Sequence, residues 1–223
     1  MDYKNLQSPR EKILQMRTDF GWDKSQNIAY EYFLSEYFTP TPNDHSKLVK
    51  DYKALMAGRI FTFNYDPIHK DSLSWYDRRP IILAIKNHVN TNTGNFLQLG
   101  LNFNFIPPEV RTFILELLWK TFRKIITKDL REREEGELIG RQKLLFTDNF
   151  DFLGLLEYIL DTIGKTNFKF ALRQYAFSRV SNAKFVDYLD WNLIPLLKSR
   201  DLIGISSREL IKKYWNKKLK NKK

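Results

Sequence analysis

The chain has no cysteine. Disulfides, thiolate metal sites and cysteine nucleophiles are therefore excluded. Histidine is nearly as scarce: His45, His69 and His88 are the whole supply, which argues against a multi-histidine metal centre. Glycine is thin as well, at 9 of 223 residues, and no glycine-rich phosphate loop is present. Gly136 and Gly140 lie close together, but no Lys-Ser or Lys-Thr pair follows them. Neither a Gly-x-Ser-x-Gly elbow nor a His-Glu-x-x-His zinc motif occurs. There is no run of 18 apolar residues, so no helix is expected to span a membrane. The opening Met1-Asp2-Tyr3-Lys4-Asn5-Leu6-Gln7 has no apolar signal core, and the chain is expected to stay in the cytosol where it is made. These absences leave a non-enzymatic protein, without metal or cofactor, as the expectation.

What is abundant is aromatic surface and positive charge. The 17 Phe, 11 Tyr and 5 Trp supply large apolar payloads for a core or an interface. With 43% hydrophobic and 28% charged residues, the composition is that of a folded globular chain. The 37 basic and 26 acidic residues give a net charge of +11, unevenly spread. Residues 165–223 carry 15 basic and 4 acidic residues, whereas residues 1–164 carry 22 of each. All of the excess therefore lies in the last quarter of the chain. A localised basic segment is the electrostatic footprint of a phosphate-backbone partner. The plainer reading is a solvated lysine-rich tail that aids solubility.

Hydrophobic periodicity divides the chain into four segments: 1–57 helical, 58–108 a small β module, 109–164 a helical core and 165–223 a basic C-terminal region. Ser8-Pro9-Arg10-Glu11 is a capping box with proline at the first helical position, and Gly21 stops the helix it opens. A second helix is expected at 25–38. A third is expected at 44–58, beyond the extended Thr39-Pro40-Thr41-Pro42 spacer. The period then changes. Residues 60–65, 79–85 and 96–103 read as strands, separated by turn chemistry at 66–74 and a polar loop at 87–95. Gly100 inside the third strand implies a bulge or a tight barrel bend. The expected fold class is α+β, with a small bent antiparallel β module, barrel-like in its most closed form, embedded between helical segments.

Pro107-Pro108 ends the module and opens a long helix bearing Ile114, Leu118 and Phe122. Residues 128–141 are charged with mixed sign and read as an exposed helix or a loop. Asp148 can cap a helix that carries Phe152, Leu156 and Ile159 and ends at Gly164. Residues 168–177 read as a helix with basic residues on one side, and 182–197 stays ambiguous between strand and helix. Ser206-Ser207-Arg208-Glu209 is a second capping box and opens a final helix.

Asp66, Asp71 and Asp77 could hold a divalent ion, but their setting among turn residues reads as turn formation and side-chain capping. Glu132, Glu134, Glu135 and Glu137 alternate with Arg131, Arg133 and Arg141, the pattern of a solvated helix face rather than of a nuclease carboxylate set. The run 169–179 interleaves cations with aromatics. Lys169, Arg173 and Gln174 fall near one face of the expected helix, while Phe170, Tyr175 and Phe177 face inward or stack on bases. The final helix sets its lysines opposite Leu210, Ile211, Tyr214 and Trp215. The candidate DNA-binding residues are Lys169, Arg173, Arg179, Lys212, Lys213, Lys217, Lys218 and Lys220. No catalytic and no metal-ligating residue is assigned.

One stretch is specific enough to resemble a family. Gly58-Arg59-Ile60-Phe61-Thr62-Phe63-Asn64-Tyr65-Asp66-Pro67 leads to Trp75-Tyr76-Asp77-Arg78-Arg79-Pro80-Ile81-Ile82. Leu99-Gly100-Leu101-Asn102-Phe103 and Ile106-Pro107-Pro108 follow, before Arg111. This order resembles the block of tailed-phage DNA end protector proteins of the T-even-like myophage type. Theirs runs Tyr-Asp-Pro, then Tyr-Tyr-Asp-x-Phe-Pro-Leu, then Gly-x-Asn-x-x-Tyr-Leu-Pro. Phe170-Ala171-Leu172-Arg173-Gln174-Tyr175-Ala176-Phe177-Ser178-Arg179 resembles a later segment of such proteins. Arg79 stands where the family has an aromatic before the proline, and Phe103 and Phe105 replace a His-Tyr of its third strand. The resemblance implies a virion structural protein of the head–tail connector or neck that contacts the packaged DNA terminus and is assembled in the host cytoplasm. It implies portal, neck or tail subunits as partners, several copies in a symmetric assembly, and double-stranded DNA held through its backbone, with no membrane. It leaves open a purely protein-binding adaptor or scaffold of the tail or baseplate, with no DNA role.

Overall fold

The computed structural model describes residues 7–39, 57–134, 152–164, 169–198 and 202–215. Most of the expected third helix and the Asp148 cap lie outside the described residues. The first capping box forms as read: the Ser8 hydroxyl accepts from the Glu11 N–H at 3.3 Å, and the Glu11 carboxylate accepts from the Ser8 N–H at 2.8 Å. It opens α1 (Pro9–Phe20). Gly21, at φ 75°, ends α1 and is at once the N-cap of α2 (Trp22–Phe33), so the second helix starts earlier than expected. A π turn, Leu34–Phe38, extends α2. Tyr32 donates to Asp190 at 2.9 Å, and Tyr37 donates to the other oxygen of the same carboxylate. The pair ties the end of this helix to the C-terminal part of the chain.

The strands are β1 (Ile60–Tyr65), β2 (Tyr76–Asp77), β3 (Ile81–Val89), β4 (Phe96–Asn102), β5 (Leu172–Ala176), β6 (Val180–Phe185) and β7 (Leu202–Ile203). A five-stranded antiparallel sheet has the order β5-β4-β3-β1-β6, and β2 pairs with β7 apart from it. The three expected strands are all present. β3 runs on to Val89, which shortens the polar loop to 90–95, closed by a 2.8 Å bond from the Gly94 N–H to the Asn90 carbonyl.

The expected helix at 168–177 is not formed: 172–176 is β5, bonded along β4 from Leu97 to Leu101. Ala171, Leu172, Arg173 and Gln174 are good helix formers, but pairing with a sheet edge and burial of Tyr175 outweigh a propensity of a few tenths of a kcal/mol per residue, about 0.5 at most. The one-sided face of Lys169, Arg173 and Gln174 goes with the helix, because strand neighbours point to opposite faces. The ambiguous 182–197 divides into β6 and a 3₁₀ run, Tyr188–Leu196, which tolerates Pro195.

The sheet curls, and a covalent constraint makes it do so. β5 and β6 are opposite edges of the sheet, yet only Phe177–Arg179 joins them. In a flat sheet the edges would lie about 19 Å apart, at ~4.8 Å per strand spacing. The four residue steps from Ala176 to Val180 reach at most about 14 Å. Register shifts at Thr62/Asn64 and Ala84/Lys86 supply the bend. The sheet remains open rather than a closed barrel. On its concave face Phe61, Phe63, Ile82, Ala84, Tyr175, Val180 and Ala183 form a small buried cluster. The Tyr175 ring meets Phe63 and Tyr65 edge-on at 5.1 and 5.0 Å, although two strands separate β5 from β1. Gly100 serves this face by close approach: a Cβ there would stand 2.8 Å from Ile82 Cδ1.

The other face carries Ile60, Ile81, Leu83, Ile85 and Leu101 into the main core. There it meets α1, α3 (Pro108–Glu134) and α4 (Phe152–Ile163), with Ile114, Leu118, Phe122 and Ile159 buried. Arg111, fully buried on α3, donates to the carbonyls of Ile106 at 2.6 Å, Leu197 at 2.7 Å and Ile194 at 3.3 Å. Burial pushes its guanidinium down to about 10, so it stays charged at neutral pH. The second capping box opens α5 (Ser207–Tyr214), and the Trp215 indole N–H just past it donates to the Phe105 carbonyl at 3.0 Å. No helix among the described residues is long and apolar enough to cross a membrane.

Gly204 holds the β2–β7 pair in place. It sits at φ +82°, and a Cβ on it would come 2.2 Å from the Ser74 carbonyl oxygen. Gly204→Ala is expected to cost at least about 2 kcal/mol, from left-handed strain plus the backbone clash. Urea unfolding should show the midpoint fall without a change in slope.

Candidate nucleic-acid interface

Where β2, β4 and β5 approach one another, a buried polar network replaces apolar packing. Asp77 accepts from the side-chain amides of Asn102 and Asn104, each at 2.8 Å, and from the Arg79 N–H at 3.1 Å. Asn102 also donates to the Tyr175 hydroxyl at 2.9 Å, and its own carbonyl oxygen accepts from the Asn104 N–H at 2.8 Å. Asn104 reaches the Arg79 carbonyl at 3.0 Å. Asp77 is therefore structural, in keeping with its reading as a cap, and it fixes the backbone on either side of Arg78. Burial above all, and then the Asp77 charge, hold the Tyr175 phenol well above its ordinary value.

A cleft of about 470 Å³ opens beside this network. Three separate stretches build it. The end of β1 and the turn after it contribute Tyr65, Asp66 and Lys70; β2 and its connection to β3 contribute Tyr76, Arg78 and Arg79; β6 contributes Ser181. Backbone bonds lock the stretches together: the Tyr65 N–H donates to the Arg78 carbonyl at 2.9 Å, and the Asp66 N–H to the Arg179 carbonyl at 3.2 Å. Lys70 and Arg179 both pair with the Asp66 carboxylate, at 3.1 and 3.8 Å. These three side chains are 48%, 42% and 59% exposed, so the pairs are screened and worth little to stability. Arg79 lies 5.5 Å from the Phe38 ring and Arg78 is exposed. Cations outnumber the single carboxylate, and two half-buried tyrosines stand among them.

The residues singled out from sequence divide between two places. Arg179 is exposed at the rim of this cleft. Arg173 is half-buried on β5, its guanidinium 4.5 Å from the Trp75 ring and 5.1 Å from Phe105. Lys169 is exposed just ahead of β5, and Lys212 and Lys213 are exposed on α5. These two stretches meet, because Phe170 packs edge-on against Trp215 at 5.6 Å. Lys217, Lys218 and Lys220 lie outside the described residues. Lys184, part of the same basic quarter, is buried in the fold and donates to the carbonyls of Glu36 and Thr39 at 3.0 Å each. Lys70, Arg78 and Arg79 were missed by the sequence reading, which weighed charge by segment. The available signal was Arg79 itself, where the resembled block has an aromatic.

A family model described as phage T4 terminal DNA protecting protein matches residues 24–133, just short of half the chain. The match takes in α2, β1 to β4 and most of α3, hence three of the five strands of the sheet and most of the cleft. It supports the likeness to phage DNA end protector proteins that the motifs implied. No curated protein and no solved structure gives a significant match.

Two outcomes follow from the network and its phenols. Asp77→Ala strands the Asn102 and Asn104 amides in the interior and is expected to cost about 3 kcal/mol, with Asp77→Asn milder because one oxygen remains. Urea unfolding of the two variants measures both losses. Tyr32, Tyr37 and Tyr175 all have raised folded-state values, chiefly through burial. Such groups contribute their full stabilisation below the unfolded value of about 10, and lose it as pH climbs beyond that toward the folded values. Phenolate absorbance in an alkaline titration should leave these three tyrosines silent until the chain unfolds.

Proposed function

We propose that the chain binds the end of packaged phage DNA, as a virion structural protein of the head–tail connector or neck. The observation that carries this reading is the β4–β5 pairing. It builds the segment that opens the basic quarter directly onto the block matched by the DNA-protecting family. The cations at 169–179 are thereby fixed to that block, and Trp215 anchors the lysine-bearing α5 against Phe105. Lys169, Arg179, Lys212 and Lys213 lie exposed, as residues that meet a phosphate backbone must. Lys217, Lys218 and Lys220 follow α5 in the sequence and add to its charge, and Arg173 contributes its charge from beneath. Several copies arranged around the DNA, held by portal, neck or tail subunits, fit a protein at a single DNA terminus. The matched description names protection of DNA, which supports a binding role.

Backbone contact predicts binding that ignores sequence and weakens steeply with salt, by about 0.9 in the log–log slope per phosphate neutralised. Removing the chain from Lys212 onward would also remove the buried Trp215. The cleaner variant changes Lys212, Lys213, Lys217, Lys218 and Lys220 to glutamine. Titration of a labelled duplex at several salt concentrations should show the slope shrink by up to about 4.5. An unchanged slope would turn the reading to a scaffold whose lysines meet acidic patches on neighbouring subunits.

A further inference from the structure

The lysine patch explains attraction to DNA in general, but nothing in it distinguishes an end from the middle of a duplex. The cleft beside Asp77 has the shape and chemistry for that distinction. We propose that it seats the terminal nucleotide of a DNA strand, with Lys70, Arg78 and Arg79 on the phosphate and Tyr65 and Tyr76 against the base or sugar. This inference rests on the DNA-binding reading and gives it a site.

Shape comes first. Its volume of about 470 Å³ lies within the range of small-molecule sites, roughly 300–1,000 Å³. The side of a duplex is convex and presents its phosphates in a stripe, which a concavity of this size cannot follow. A splayed terminal nucleotide can enter, and ends are where unpairing costs least.

Charge and rigidity come next. Three lining cations face one carboxylate, with Arg179 at the rim. Asp66 pairs with Lys70 in the cleft lining and with Arg179 beside it. Both pairs are exposed, so an arriving phosphate exchanges for Asp66 at small cost. Arg78 lies between Asp77 and Arg79, whose backbone the buried network fixes, so its point of departure into the cleft is set before any ligand arrives. Tyr65 is braced from behind by the rings of Phe63 at 6.3 Å and Tyr175 at 5.0 Å. A preset aromatic beside cations is the pairing by which proteins hold unpaired nucleotides regardless of sequence.

The experiment compares two labelled duplexes of one sequence, one with open ends and one closed at both ends by covalent hairpin loops. The full chain, its Arg78→Gln variant and the five-lysine glutamine variant are titrated against each. The wild-type chain is expected to favour the open duplex by about tenfold, the scale of one stacked base. Arg78→Gln, a change at an exposed side chain, should erase that preference and leave affinity for the closed duplex intact. The five-lysine variant should weaken both duplexes and keep the preference. A wild-type chain that binds both duplexes equally, or an Arg78→Gln variant that keeps the preference, overturns the cleft as the end site and leaves the DNA-binding reading standing. An Arg78→Gln variant that weakens both duplexes alike makes Arg78 a plain backbone contact and likewise overturns it. Failure of the wild-type chain to bind either duplex overturns both readings.

Discussion

The architecture turns on a short piece of covalent chain. Phe177–Arg179 must connect the two opposite edges of a five-stranded sheet, and a flat sheet holds its edges too far apart for three residues to bridge. The sheet therefore curls, and the curl creates an interior on its concave side. Into that interior goes Tyr175, whose hydroxyl takes a bond from Asn102. Asn102 in turn holds Asp77, and Asp77 holds the backbone at Arg79. The constraint thus runs from a tight link, through sheet curvature, to the placement of the cations around the cleft.

The same geometry sorts the positive charge into two kinds, buried and exposed, with Arg173 between them. Arg111 and Lys184 are buried, and each donates to backbone carbonyls near the end of a 3₁₀ run or a π turn. Arg173 is part-way, stacked on Trp75 and Phe105. Lys70, Arg78, Arg179, Lys212 and Lys213 remain in contact with solvent. Only the second kind can release counterions from DNA, so the net charge of a segment overstates what it offers a partner.

Much of the fold was legible in the sequence because its signals are local. The two Ser-x-x-Glu boxes each form with both reciprocal bonds. The alternation around 60–65, 79–85 and 96–103 marks three real strands, and the apolar content of 81–85 on both faces matches a strand buried on both sides. What escaped is non-local. Residues 172–176 have the composition of a helix, and only the open edge of β4, more than seventy residues earlier, makes them a strand. The cleft escaped for the same reason. Tyr65, Arg78 and Arg179 are ordinary residues in three separate stretches, and only the curled sheet brings their backbones into hydrogen-bonding contact. The charge count led the reading to the C-terminal lysines, since a tally by segment cannot register cations that converge in space.

The family match and the resemblance cover overlapping parts of the chain and meet at a physical joint. The matched block supplies β1, β3 and β4, a sheet with both edges open, which invites pairing with other chains. β5 and β6 come from beyond the block and occupy those edges through antiparallel ladders, the β6 ladder broken by the shift at Thr62/Asn64. The basic quarter is then no appendage. Its first strands are structural members of the sheet, and they cannot leave without exposing Tyr175, Val180 and the concave cluster to water.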